Sequence, residues 1–114
     1  MYEELLTSAR RGKVEELNGA ALMAYALDCR AEMLAATGPM QEATAFSVLA
    51  AEVAYDCALL KLCAENGVEV VAADFSHPTD DRHRLEVELR AAGIDLASLT
   101  RRRNDRSELR VPRP

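Results

Sequence analysis

The chain has 114 residues, is 49% hydrophobic but only 4% aromatic, and carries a net charge of −5. That length allows one domain with a core of its own, without disulfides or metal to staple it. Residues 1–100 hold eight Lys or Arg against seventeen Asp or Glu, so the body repels nucleic acid and anionic lipid, while residues 101–114 hold six Arg against two acids.

The first stretch, YEELLTSARRGKVEEL, places Leu5, Leu6, Ala9, Val14 and Leu17 for one helix interrupted at Gly12 or for two short pieces, and leaves both open. It lacks the basic region of a secretory signal, and no apolar run in the chain reaches membrane-spanning length, so the expected location is cytoplasmic. From about Glu16 to Thr37, Ala20, Ala24, Leu27, Ala31 and Leu34 recur at helical spacing, with Asn18-Gly19 able to delay the start. Gly38-Pro39 is expected to end that helix, Gly38 as a left-handed cap and Pro39 as the first residue of the next helix.

The third segment runs from about Met40 to Asn66, with Asn66-Gly67 as its stop. Phe46, Val53 and Leu60 make one heptad row beside a row of small residues, Ala50, Cys57 and Ala64, so this helix should be central. VEVVAADF, 68 to 75, reads better as an extended connection than as a lone strand. SHPTDD then resembles a helix start, with Ser or Thr as cap and Asp80 and Asp81 in the first turn. That helix should continue through Leu85 and Leu89 to Gly93, and Asp95 can cap a further turn, LASL. RRRNDRSELRVPRP, poor in apolar residues and closed by prolines, reads as a disordered tail.

The candidate chemistry is acidic. Asp28 and Glu32 on the second helix and Glu52 and Asp56 on the third are four residues apart, and each pair lies on one helix face. A tight turn at Gly38-Pro39 would bring the pairs to within about one helical turn of the same height. Burying an unpaired carboxylate costs several kcal/mol, roughly, so the stripe must face water, pair with an arginine such as Arg30 or one from a later segment, or hold a divalent cation. Mg²⁺ suits the last case, because it takes carboxylate oxygens and bridges to phosphates.

Under that alternative, LAAEVAYDCALLKLCAENGVEV resembles the second motif helix of the all-α nucleotide pyrophosphohydrolases of the MazG type. The resemblance implies Mg²⁺-dependent hydrolysis of a nucleotide phosphate, with Asp28, Glu32, Glu52 and Asp56 as metal ligands. The family's motifs are ExxE and ExxD. Here the spacings are DxxxE and ExxxD, and Tyr55 stands where the family's Asp would fall. The resemblance covers about twenty residues, and the chain is not assigned to the family on it.

Other groups point to structure first. His77 and His83, with Asp80 and Asp81 between them, sit about 240° apart around a helix and make a poor metal loop. Cys29, Cys57 and Cys63 show no metal-ligand spacing and read as core thiols in a reducing compartment. Tyr25 and Tyr55 lie at helical spacing from Asp28 and Glu52. AYALDCRAEMLAATG and VAYDCALLKLCAENG share an Asp-Cys pair and a later Leu, a likeness far short of a repeat architecture.

The expectation is therefore an all-α domain over residues 1–100, with an antiparallel hairpin of two long helices, shorter helices before and after it, and a tail at 101–114. A homodimer would complete the bundle by burying surplus apolar surface. The leading function is a small intracellular interaction or regulatory protein without catalysis or a cofactor of its own. It would act on a protein partner and not on a membrane, with nucleic acid excluded except through the tail from Arg101 to Pro114.

Overall fold

The computed structural model describes residues 2–10, 13–38, 44–70, 75 and 77–109. They form five α-helices and one 3₁₀ turn, with no strand among them. The helices are α1 (Tyr2–Arg10), α2 (Gly19–Ala36), α3 (Ala45–Glu65), α4 (Pro78–Ala91) and α5 (Leu96–Leu109), and the 3₁₀ turn is Lys13–Glu16.

The local signals act where backbone chemistry is decisive. Asn18 takes the extended conformation that precedes α2, and Thr44 caps α3 by accepting a hydrogen bond from the Ser47 amide at 3.1 Å. Gly67, at φ 76, and Gly93, at φ 101, end α3 and α4 in the left-handed region. In both places the next amide turns back five residues, Val68 to the Cys63 carbonyl and Ile94 to that of Leu89, each at 2.8 Å. Asp95 accepts from the Ser98 amide and starts α5.

Three expectations change. Gly38 is not among the glycines at positive φ; α2 is closed instead by Thr37, whose hydroxyl donates to the Met33 carbonyl at 2.9 Å. Thr79 lies inside α4 and Ser76 outside the described residues: the N-cap is His77, Pro78 occupies the first turn, and Asp81 accepts the His77 amide. Finally, α5 crosses the boundary set at residue 100 and runs to Leu109, because arginine is a good helix former once Asp95 has nucleated the turn. Residues 110–114 of the tail lie outside the described residues, as do Arg11-Gly12, Pro39 to Ala43 and residues 71–74.

α3 is central and touches α1, α2 and α4, while α5 packs on α2 and α4. From Tyr55 to Leu60 every residue of α3 is buried, and so are Leu62 and Cys63. Each neighbour offers one stripe: Leu6 from α1, Leu22, Ala26, Cys29 and Met33 from α2, Leu85 and Leu89 from α4, Leu96 from α5. The core is built mainly of Leu, Ala and Cys, with Tyr55 and Phe75 as its largest members. Lys61 ties in the 3₁₀ turn by donating to the Val14 and Glu15 carbonyls at 2.9 and 2.8 Å. The start of α2 meets the end of α3, where the Gly19 amide donates to Glu65 at 3.3 Å. No helix among the described residues is long and apolar enough to cross a membrane.

Candidate functional site

α3 carries the dipeptide Tyr55-Asp56, and α4 carries Arg82 and Glu86 one turn apart. Adjacent residues on α3 point in different directions, so the dipeptide engages both. Asp56 is 0% exposed and receives Arg82 through two bonds, Nε to Oδ1 at 2.6 Å and Nη2 to Oδ2 at 2.8 Å. The Tyr2 hydroxyl of α1 also donates to Asp56 Oδ2, and the Tyr2 ring stacks on Phe75 with centroids 6.2 Å apart. Glu52, one turn before Asp56, receives a longer bond from Arg82 Nη2 at 3.4 Å.

The second half of this arrangement exchanges the roles. Tyr55 donates its hydroxyl to Glu86 of α4, and Arg30 of α2 donates Nε to the same Oε2 at 2.9 Å. Four helices are thus joined by two groups, in each of which one tyrosine and one arginine meet on a shared carboxylate, with Glu52 as a second acceptor for Arg82. Among the described residues no buried side-chain nitrogen or oxygen lacks a hydrogen-bond partner, the condition under which a buried polar network specifies one packing.

Burial pushes the Asp56 carboxyl above its ordinary range, while Arg82 and the Tyr2 hydroxyl pull it down without fully offsetting the desolvation. Tyr2 and Tyr55 are raised in the same way, first by burial and then by the carboxylates they face. Cys63 is pushed up to about 12 chiefly by burial, so its thiol stays protonated and unreactive.

The four carboxylates singled out from the sequence do not converge. Glu52 and Asp56 meet on Arg82, which is the compensation by a later arginine. Asp28 is exposed and pairs with Arg103 of α5 at 2.8 Å, and Glu32 is exposed. Asp56 thus departs from a solvated acidic edge, because the arginine that neutralises it comes from 26 residues away. Among the described residues, no group of three or more His, Cys, Asp or Glu is placed to hold a metal ion. His77 and His83 are both exposed. Arg82, Glu86 and Tyr2 were missed, although the charge pair at four-residue spacing on α4 was a visible signal.

A different surface is left uncovered. Between α1 and the first half of α3 lies a cavity of about 480 Å³, open to solvent and lined mainly by Leu5, Ala9, Phe46, Leu49, Val53 and Tyr25, with no charged residue among the described ones that line it. Phe46 stands on its rim at 80% exposure, and Cys57 closes its floor. Tyr25 is pushed up to about 12, mostly by burial and then by its bond to Cys29.

No protein-family model matches this chain, and the comparisons with curated proteins and with solved structures likewise found no match.

Proposed function

We propose that the chain is a small intracellular interaction protein without catalytic activity of its own, working through an apolar helical surface and its charged flank. The observation that carries this is the uncovered groove of about 480 Å³ with Phe46 80% exposed on its rim. Large apolar side chains gathered around a concavity whose described lining is uncharged mark a surface that gains free energy when covered. The acidic and basic groups of the interior are, by contrast, engaged with one another.

In this account α2 and α3 form an antiparallel hairpin, supported by the Gly19–Glu65 bond at one end and by the bonds of Arg30 and Tyr55 to Glu86 further along. A homodimer completes a larger bundle, and a protein partner uses the same kind of surface. A reducing compartment such as the cytoplasm fits three buried cysteines without a disulfide among them.

Site-specific photocrosslinking in the producing cell tests the reading. A photoreactive residue at position 46 should give discrete protein adducts, and one at exposed Arg90 of α4 should give none. Equal yields at the two positions, or none at 46, would contradict it.

A further inference from the structure

We propose that the occupant of the groove is a second copy of this chain, docked across a two-fold axis so that Phe46 of each copy sits in the groove between α1 and α3 of the other. The proposal rests on the interaction reading above and names the partner of that site.

The groove and the side chain that would fill it lie on the same face, which is what a two-fold contact needs: the surface must be complementary to itself. Phe46 belongs to the groove's lining yet is 80% exposed, so within one copy it stands beside the cavity without filling it. Phe46, Leu49 and Val53 follow the alternating three- and four-residue spacing of a helix-pairing seam, and Ala50 and Ala54 beside them let a second helix approach closely. The seam runs without a break into the core. Phe46 is exposed, Val53 is half-buried and Leu60, next in the same row, is buried. It stops being available at Asp56, where α3 turns to Arg82 of its own chain.

Area sets the strength. One phenylalanine covered per copy removes about 150–250 Å² on each side, and Leu5, Leu49 and Ala50 add to it, which keeps the contact below the roughly 1,200–2,000 Å² of standard interfaces and among the weak, transient pairs. Micromolar association follows, not an obligate dimer. Each copy carries a net charge of −5 while the described lining of the groove is uncharged, so salt should tighten the pair by screening repulsion between the bodies. A basic partner would show the opposite salt dependence.

Sedimentation equilibrium of the purified full chain, across low to high micromolar concentration, reads the proposal. The wild type should dimerise, and more tightly at higher salt. Phe46→Asp should weaken the dimer at least about 100-fold with an unchanged circular dichroism spectrum, because the ring packs on little of its own chain. Val87→Asp, at another exposed apolar position on α4, should change the constant less than about twofold. A second variant avoids dependence on one substitution: Ala50→Cys, near the two-fold axis, should form an intermolecular disulfide under mild oxidation, and Val87→Cys should not.

A dimer untouched by Phe46→Asp and not trapped by Ala50→Cys overturns the inference and leaves the interaction reading standing. A monomer at every concentration also overturns it. In that case crosslinks from position 46 to other proteins would show that the groove serves a different partner, and their absence would remove the interaction reading as well.

Discussion

The two halves of α3 are equally apolar and do opposite things. From Tyr55 to Cys63 nearly every side chain is buried by the chain's own helices, whereas from Ala45 to Ala50 most are exposed, Phe46 and Leu49 included. The dividing point is the Tyr55-Asp56 dipeptide. Beyond it α4 covers the helix and is held there by Arg82 and Glu86; before it α4 still reaches Glu52 through Arg82, but the groove beside α1 opens. Composition therefore says that a helix wants covering, and long-range polar pairing says which half is covered from within.

The largest way to break the contrast is to remove the pairing at the boundary. Asp56→Ala leaves the buried Arg82 guanidinium with only its longer bond to Glu52 and should cost about 3 kcal/mol in urea unfolding. Replacing both residues by apolar ones of similar size should recover most of that loss, to within about 1–2 kcal/mol of wild type, since the desolvation of two buried charges offsets most of their attraction. A double replacement as unstable as the single one would mean that the network is needed for folding itself.

Alkali should act next, and on the core half. The folded state holds the Cys63 proton up to about 12, whereas the unfolded chain releases it near 9.0. Between these values the native state binds more protons, so stability is intact below pH 9 and falls as pH rises towards 12. Tyr25, also pushed up to about 12 from 10.0, adds to the fall in the upper part of that window. Urea midpoints of wild type and Cys63→Ala, compared at about pH 8 and about pH 10.5, should show the larger loss in wild type.

Tyr55→Phe removes one charge-assisted hydrogen bond while Arg30 remains on Glu86, and should cost about 1–2 kcal/mol. Smallest of all are the changes at the surface. Asp28→Asn breaks an exposed pair with Arg103 and should shift stability by less than about 0.5 kcal/mol, less still in high salt. Phe46→Asp should leave monomer stability within about 0.5 kcal/mol, because its ring is already in water.

What could be read from the chain divides along the same line as the energetics. Helix ends were legible where one residue decides the backbone: Asn18 before α2, Gly67 after α3, Gly93 after α4, Asp95 before α5. The central place of α3 followed from its apolar rows. The pairing partners were not legible, because Tyr2 and Arg82 reach Asp56 from 54 and 26 residues away, and periodicity within one helix holds no information about such distances. Two carboxylates at four-residue spacing leave water, an arginine and a cation open for the same reason: periodicity does not say which helix brings the neutralising arginine. Arginine richness after Thr100 predicts disorder, whereas helix propensity carries α5 to Leu109. Gly38 misled because a glycine after a helix permits a left-handed cap without requiring one, and Thr37 supplied the closing bond.

Amide hydrogen exchange along α3, measured at low and high protein concentration, tests most directly whether one half of this helix is core and the other an interaction surface. Amides from Tyr55 to Cys63 should exchange slowly at both concentrations, and those from Ala45 to Ala54 should gain protection only when the chain is concentrated. Protection that is uniform along the helix, or that ignores concentration in both halves, would contradict the division.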